Sequence, residues 1–327
     1  MSNDVNSDSK LDHPKLPAAT GSGASLVVVG SVGLDTIETS TAKRTDVLGG
    51  AASYFSVAAS FLSPVRMVGI VGKDFPFQCT DLLAGHGVDL AGLERAAGRT
   101  FRWSGRYSDD CNHRTTLDTQ LNVFQDFHPK LPPAWATSEF VFLANIDPAL
   151  QLSVLEQVSR PRFVACDTMN FWIEGKRDDL GRLLKRVNLL LLNDEEARQL
   201  AGRTNLPAAA RAILAMGPSA VVIKRGDAGA LLFYEGGVFC APAFPLEDVV
   251  DPTGAGDSFA GGFMGWLTRV GEATPHTIRT AMILGSVLAS YCVEDFSLDR
   301  FSTLHIGDIR ERFSAFTQLV HFERIKI

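Results

Sequence analysis

Short apolar runs alternate along the chain with stretches that have the periodicity of helices. The apolar runs have the length of buried strands and lie at 26–29, 66–71, 140–143, 163–166, 189–192, 221–223 and 230–233. The helical stretches lie at 51–62, 258–270, 275–292 and 306–316. Strands that alternate with helices predict βαβ units, because a crossover helix is the common connection between neighbouring parallel strands. The sequence therefore predicts an α/β fold around a mostly parallel sheet.

Size and composition restrict the class of protein further. The chain has 327 residues, of which 46% are apolar, and its formal net charge is −6. A chain of this length can bury a sizeable core, and the negative charge argues against a general nucleic-acid binder. No apolar run approaches the roughly 18 residues that a membrane span requires. The five cysteines have neither C-x-x-C pairs nor zinc-ligand spacing, so we expect neither a disulfide framework nor a structural zinc site.

The beginning of the chain differs in composition from the rest. Residues 1–24 are rich in Ser, Asp, Asn, Pro and Gly and lack the apolar stretch of a signal peptide. We expect a disordered tail there, one large domain over 25–327, and a soluble cytoplasmic protein without nucleic-acid or membrane partners. Two polar stretches, 36–48 and 100–120, are rich in Thr or in aromatic residues and predict the strands of a small exposed sheet.

The most informative segment joins a tight turn to the helix at 258–270. It reads D-P-T-G-A-G-D-S-F-A-G-G-F from Asp251 to Phe263. Small residues let a phosphate approach the backbone, and the first turn of a helix carries N–H groups without a partner in the helix. The position of Asp257 is open to two interpretations. It fits an N-cap, and it also fits a general base that takes a proton from a hydroxyl while nearby amides stabilise a transferred phosphoryl group. The two roles are compatible with each other.

Six further segments occur in an order that is typical of one family. They are G-S-V-G-L-D at 30–35, G-G-A-A at 49–52, V-G-I-V-G-K-D-F at 68–75, D-T-M-N at 167–170, N-D-E-E at 193–196 and K-R-G-D-A-G at 224–229. With D-P-T-G-A-G-D they resemble the ribokinase-like, or PfkB, carbohydrate and nucleoside kinases. The resemblance implies a three-layer α/β/α sandwich with a mostly parallel central sheet, and a small β lid from 36–48 and 100–120. It also implies an enzyme that uses ATP and Mg²⁺ to phosphorylate an alcohol of a sugar.

The resemblance assigns roles on the acceptor side of the site. Asp257 becomes the catalytic base, and the backbone of Gly254, Ala255 and Gly256 becomes the anion hole. The substrate-binding candidates are Asp35, Gly49, Gly50, Tyr54 and Asn170, with Asn112 and Arg114 on the lid. Tyr54 stands where most relatives have Asn, and its ring either packs in the core or lines a pocket for a bulkier substrate.

The nucleotide side is assigned in the same way. Asn193 and Glu196 would act on Mg²⁺ through water, and the nucleotide-binding candidates are Asn193, Lys224, Gly226, Gly229 and Thr253. Asn193 has a plain alternative as the cap of a helix with acidic residues in its first turn. Asp251 and Thr253 are candidates for holding a monovalent cation such as K⁺, although 293–297 lacks the glycine that is usual in the family's cation loop.

Two other functions stay open at this point. Tyr54, Phe55, Trp103 and Tyr107 lie near the expected acceptor side and are compatible with an adenosine-like nucleoside kinase. A non-catalytic sugar- or nucleotide-binding relative would keep the same fold, although it would not need a base beside the phosphate. Lid strands in this family often pair between subunits, so a homodimer is the expected oligomer.

Overall fold

A computed structural model describes residues 23–111, 113–321 and 323 of the chain. Asn112 and residues 1–22 of the predicted tail lie outside the described residues. Ala24, the last residue of that predicted tail, is buried and packs into the core. The fold therefore includes the end of the segment that composition marks as a tail.

A nine-stranded sheet forms the centre of the fold. Its strands, in spatial order, are β13 (Gly237–Ala241), β12 (Ala230–Tyr234), β11 (Ala220–Lys224), β10 (Leu189–Asn193), β9 (Phe163–Asp167), β8 (Phe140–Leu143), β1 (Leu26–Val29), β4 (Val65–Val71) and β5 (Val88–Arg95). All neighbours from β11 to β5 are parallel. β12 and β13 add antiparallel strands at one edge. The predicted mostly parallel sheet is confirmed.

Helices cover both faces of this sheet. One face packs against α1 (Ala51–Ser60), α2 (Phe77–Gly85), α8 (Ala255–Val270), α9 (Pro275–Cys292), α10 (Asp299–Ser302) and α11 (Ile306–Leu319). The other packs against α3 (Pro148–Gln157), α4 (Asn170–Gly175), α5 (Arg177–Leu184), α6 (Asp194–Ala201) and α7 (Leu206–Leu214). Successive side chains of a strand point to opposite faces, so Leu26 of β1 belongs to the first core and Val27 to the second. The three-layer α/β/α architecture is confirmed. Among the described helices, none combines the length and the apolar character needed to cross a membrane.

A second sheet has four strands and is called the lid sheet below. Its order is β3 (Lys43–Gly49), β2 (Gly33–Glu38), β6 (Phe101–Tyr107) and β7 (Arg114–Gln120). The pairs β2–β3 and β6–β7 are antiparallel, whereas β2 and β6 are parallel. The small sheet comes from the two stretches expected to form it, and it begins slightly earlier than predicted, at Gly33. Its action as a lid stays a prediction.

Several elements of the central fold have no individual prediction from the sequence, among them β13, α2 and β5. α2 buries only Leu83, and in β5 only Val88 is buried. Both elements lie at the margin of the molecule, so neither carries the regular apolar pattern on which sequence-based assignment depends.

Candidate active site

Three polar residues end neighbouring parallel strands of the nine-stranded sheet. β9 ends at Asp167, β10 at Asn193 and β11 at Lys224. Because these strands are parallel, their carboxyl ends share one edge, which is where open α/β sheets bind ligands. The start of α8 reaches the same place, since a Cβ added to Gly256 would lie 3.0 Å from Lys224 Nζ. Four elements therefore meet at this edge.

The turn before α8 requires glycine at position 254. Gly254 is the N-cap of α8 with a φ of +76°, a conformation that costs other residues about 1–2 kcal/mol. A Cβ there would also lie 2.2 Å from the ring of Tyr54. Tyr54 is only 1% exposed, so its ring supports the turn from the core side. Of the two interpretations of Tyr54, the structure favours packing in the core over contact with a substrate.

The backbone of this turn presents two free amides rather than three. The N–H of Ala255 donates to the carbonyl oxygen of Pro252 at 3.3 Å, so the anion-hole role expected of Ala255 is not met in this conformation. The amides of Gly254 and Gly256 have no hydrogen-bond partner among the described residues. They are available to an anion, together with the positive end of the α8 dipole.

Asp257 lies in the first turn of α8 and not at its N-cap. The N-cap is Gly254 and no side chain caps the helix, so the N-cap interpretation of Asp257 is wrong. Burial, and after it the negative charge of Asp167, raises the pKa of Asp257 to about 7, although Lys224 and Arg114 act in the opposite direction. A carboxyl group with a pKa near neutrality is suited to general-base catalysis.

Lys224 lies among the carboxylates of the site. Its Nζ donates to Asp167 Oδ2 at 2.9 Å, and the two side chains are 19% and 6% exposed. Burial lowers the pKa of Lys224, but the charges of Asp167, Glu196 and Asp257 outweigh that effect and hold it above its ordinary value. The ammonium group is therefore charged, and it lies beside the first turn of α8, where it can meet a phosphate.

A capping box begins α6. Asn193 Oδ1 accepts the N–H of Glu196 at 2.8 Å, and Glu196 Oε2 accepts the N–H of Asn193 at 2.7 Å. The plain alternative for Asn193, a helix cap, is thus confirmed. Burial and the charge of Asp167 raise the pKa of Glu196 to about 7. Carboxylate oxygens fit Mg²⁺, which keeps several of its waters, and no preformed cage of three or more His, Cys, Asp or Glu occurs within the described residues.

Asp35 on β2 is almost fully buried. It is 4% exposed, and its Oδ1 has no hydrogen-bond partner in the part of the chain that the structure describes. Burial, followed by the charges of Asp251 and Asp257, raises its pKa to about 8. Gly49 makes room for this carboxyl group, because a Cβ there would lie 2.1 Å from it, and Gly50 begins α1 with a φ of +92°. An unpaired buried oxygen at this place fits a hydroxyl group of a ligand.

Arg114 reaches the site from the lid sheet. Its charge offsets part of the burial-driven rise in the pKa of Asp35, Glu196 and Asp257. Its guanidinium carbon lies 5.4 Å from the ring centre of Trp103. Arg114 is therefore placed to meet an anion between the two sheets. Asn112, the other lid candidate, lies outside the described residues.

Four other candidates have identifiable structural positions. Gly226 and Gly229 turn the chain between β11 and β12 with φ values of +55° and +77°. Asn170 is exposed at the start of α4. Thr253 Oγ1 donates to Tyr107 Oη on β6 at 3.1 Å. Contact of these residues with a nucleotide or a substrate stays a prediction.

Asp251, the candidate cation ligand, is fully buried and shapes the turn. Its Oδ1 accepts the N–H of Thr253 at 2.8 Å, and its Oδ2 accepts the N–H of Ser297 at 3.0 Å. Each oxygen accepts one backbone amide and keeps a lone pair for a further contact. The role of Asp251 as a ligand of a monovalent cation stays a prediction. The mechanism proposed below uses no monovalent cation.

The sequence indicates Asp167 only as part of the D-T-M-N segment and Tyr107 only as an aromatic residue near the acceptor side, and it singles out no role for Ser297. The local signals for Asp167 are that segment and its place at the end of a buried strand. Tyr107 and Ser297 have no such signal, because their partners are 146 and 46 positions away in the chain.

Comparisons with known proteins identify the family of the chain. The profile of the pfkB family carbohydrate kinases matches residues 24–302. The chain is 30% identical over 250 residues to a cytidine kinase of Thermococcus kodakarensis, a match that covers 75% of this chain and 88% of that relative.

Solved structures share the fold. A nucleoside kinase of Burkholderia thailandensis in complex with inosine superposes with a TM-score of 0.74 at 18% identity, over 90% of this chain and 99% of that chain. An Arabidopsis thaliana ribokinase complexed with ribose and ATP superposes with a TM-score of 0.72 at 21% identity, over 89% of this chain and 98% of that chain. The predicted ribokinase-like fold is confirmed. The chain belongs to the pfkB family of carbohydrate kinases and is a phosphotransferase whose acceptor is an alcohol group.

Proposed function

We propose that the protein transfers the γ-phosphoryl group of ATP to a hydroxyl group of a sugar, with Asp257 as the general base. The observation that carries this proposal is the start of α8. There a carboxyl group with a pKa of about 7 lies in the same helical turn as two free glycine amides and next to Lys224. Phosphoryl transfer depends on positioning and charge neutralisation more than on covalent chemistry, and these groups supply both.

The acceptor hydroxyl loses its proton to the carboxylate of Asp257 while its oxygen attacks the γ-phosphorus. The bond from the γ-phosphorus to the bridging oxygen breaks, and ADP leaves with that electron pair. Asp257 then releases the proton to solvent. The amides of Gly254 and Gly256 stabilise the charge on the transferred group, where donors aimed at a developing charge are most effective.

The nucleotide phosphates would lie between α8 and the ends of β9–β11. Lys224 supplies a compact positive charge there. Glu196 and Asp167 are the residues suited to hold Mg²⁺ through water. In nucleotide sites Mg²⁺ is usually bound by one or two carboxylates together with the phosphates, and it keeps several of its waters. When bound, Mg²⁺ neutralises charge on the β- and γ-phosphates.

Asp35 is the proposed anchor of the acceptor. Its unpaired Oδ1 can accept an O–H from the sugar, and such a bond would favour the ionised carboxylate that burial otherwise penalises. Because Gly49 has no side chain, the Asp35 carboxyl group has room in this position. A sugar hydroxyl would then lie between Asp35 and Asp257, whose charges already influence each other.

A nucleoside is the second acceptor class, and the position of Trp103 favours it. Trp103 is the register partner of Asp35 across β2 and β6, so the two side chains share a face of the lid sheet. The indole ring lies over Gly105, where a Cβ would come within 2.0 Å of it, and Nε1 donates to Thr116 Oγ1 at 3.3 Å. A fixed aromatic plane beside a hydroxyl-binding carboxylate suits a base joined to a ribose. The similarity to a cytidine kinase supports the same class.

The test is ADP release from the purified protein with Mg-ATP across pentoses, hexoses, cyclitols and nucleosides. A free sugar as the selective acceptor, with activity unchanged in Trp103→Ala, supports the sugar kinase. A selective nucleoside signal that falls at least about tenfold in Trp103→Ala and persists in Trp103→Phe supports the nucleoside kinase. Silence across the panel, with ATP binding still visible as a thermal shift, would overturn both in favour of a non-catalytic relative.

We infer a cytoplasmic setting and a homodimer as well. All five cysteines are unpaired, which suits a reducing compartment. All seven residues of β7, an edge strand of the lid sheet, are exposed, so this edge can pair with a second copy. A solution mass equal to one chain of 35.4 kDa would contradict the dimer.

A further inference from the structure

Hydrogen bonds tie the turn before α8 to the lid sheet. Thr253 Oγ1 donates to Tyr107 Oη at 3.1 Å, at the end of β6. Burial raises the pKa of Tyr107 to about 12, so the phenol stays protonated throughout the neutral range. Thr253 lies in the turn before α8 and Tyr107 lies on the lid sheet, so this bond joins parts of the chain that are 146 positions apart.

Asp251 continues this chain of bonds beneath the turn. Its two carboxylate oxygens accept the N–H groups of Thr253 and Ser297, at 2.8 and 3.0 Å. A backbone bond runs alongside, from the N–H of Val250 to the carbonyl oxygen of Val293 at 2.8 Å. One buried carboxylate therefore holds the turn against the segment that follows α9.

Ser297 connects these hydrogen bonds to the lid sheet. Its hydroxyl donates to the carbonyl oxygen of Leu48 on β3. Its backbone has a φ of +54°, a conformation that costs a residue other than glycine about 1–2 kcal/mol. Such a conformation persists where surrounding contacts fix it, and here both the N–H and the hydroxyl of Ser297 are hydrogen-bonded.

The two tied strands flank the strand that carries Asp35. The lid sheet has the order β3-β2-β6-β7, with Leu48 on β3, Asp35 on β2 and Tyr107 on β6. The bonds therefore run from one neighbour of β2 to the other through the turn that precedes Asp257.

We propose that Tyr107 and Ser297 are positioning residues for phosphoryl transfer, which fix the Asp257 turn relative to the lid strand that carries Asp35. This inference rests on the proposed function. A donor must lie about 2.7–3.1 Å from the oxygen that it stabilises, so a loosened turn weakens transition-state contacts more than it weakens ATP binding. The loss of one of these bonds is expected to lower kcat about fivefold.

Kinetics of Tyr107→Phe, Ser297→Ala and the double variant test the proposal. We expect kcat to fall about fivefold in each single variant with an unchanged KM for ATP. The double variant should lose less than the roughly 25-fold product, because both bonds belong to one network. Tyr234→Phe is the matched control, since it removes a tyrosine hydroxyl that is bonded to Arg279 on α9. A kcat within about twofold of wild type in both single variants, or an effect on KM alone, would overturn the proposal.

Hydrogen exchange gives a readout that does not depend on activity. Tyr107→Phe should speed amide exchange in 250–258 and in 43–49, whereas Tyr234→Phe should leave both segments unchanged. Unchanged exchange in Tyr107→Phe overturns the network in an active or an inactive protein. If the wild-type protein shows no kinase activity and Tyr107→Phe still exchanges faster, the hydrogen-bond network is supported. The proposed function is then overturned, and the catalytic role of the network with it.

Discussion

Replacing Lys224 by Met removes one partner of a buried ion pair and keeps most of the side-chain volume. Asp167, which is 6% exposed, would lose the ammonium group that lies 2.9 Å from its carboxylate. Breaking a buried pair in this way costs about 3–5 kcal/mol. Lys224 is 19% exposed, so we expect the lower end of that range, about 3 kcal/mol.

Calorimetry of the protein without nucleotide measures this effect. A loss of about 3 kcal/mol lowers Tm by roughly 4–5 °C in a chain of 327 residues, because the entropy of unfolding is about 2.1 cal/mol/K per residue. Adding Asp167→Asn should restore part of the loss, because no unpaired charge then remains. Lys176→Met is the control: its pair with Asp147 at 3.2 Å is 43% exposed on the lysine side, and exposed pairs contribute about 0–1 kcal/mol. Equal Tm values for Lys224→Met and wild type would refute the reasoning.

The same substitution changes the proton affinity of Asp257. Lys224 lowers the pKa of Asp257 against burial and the charge of Asp167, so its removal should raise that pKa above about 7. The base acts in its ionised form, so the acid limb of kcat/KM should move to higher pH. A variant with measurable turnover and an unmoved acid limb would show that Lys224 does not act on Asp257.

Three further predictions follow from the buried carboxyl groups and the turn. In the wild-type protein kcat/KM should fall about tenfold per pH unit below pH about 7 as Asp257 becomes protonated, and a flat profile down to pH 5 would argue against its role as base. The pKa of Asp35 is about 8 in the folded state, against an ordinary value of 3.8. Between these two pH values the folded state binds more protons than the unfolded state. The free energy of unfolding therefore falls as the pH rises through this range. Asp35→Asn should therefore add on the order of 5 kcal/mol at pH 8, from a shift of about four pKa units, and little at pH 4 in urea unfolding. The KM for the acceptor should rise as well, and equal stability at pH 8 would contradict this reasoning. Gly254→Ala should destabilise the protein more than the control Gly202→Ala. Both positions have a positive φ, but only at position 254 would a Cβ collide with a neighbour, the Tyr54 ring. Equal losses of unfolding free energy in the two variants would contradict the collision.

Much of the central fold follows from local pattern. The predicted bounds of β1 and α9 coincide with the observed ones, because both elements are apolar on faces that the core covers completely. The helix expected at 258–270 begins at Ala255, since its first turn consists of the small residues of the phosphate motif rather than of an apolar stripe. The sequence does not predict α2 and β5, because each of them buries a single residue.

Only part of the candidate site can be predicted from the sequence. The motifs predict Asp257, Asp35 and the glycine turn, because their spacing within the chain is short and specific. The pairing of Lys224 with Asp167, and the reach of Arg114 into the site, depend on how distant strands come together. The packing of Tyr54 beneath Gly254 is likewise a tertiary contact, across 200 positions of sequence, that no local pattern contains.

The most direct test of the account is the rate of phosphoryl transfer by Asp257→Asn at saturating Mg-ATP and acceptor. General-base catalysis contributes about 10²–10⁴-fold, so we expect a loss of that size with unchanged ATP affinity and a Tm no lower than that of wild type. Asp178→Asn, which changes an exposed carboxyl group in the first turn of α5, is the control and should keep wild-type turnover. Turnover by Asp257→Asn within a few-fold of wild type would contradict the central claim that this carboxylate takes the acceptor's proton.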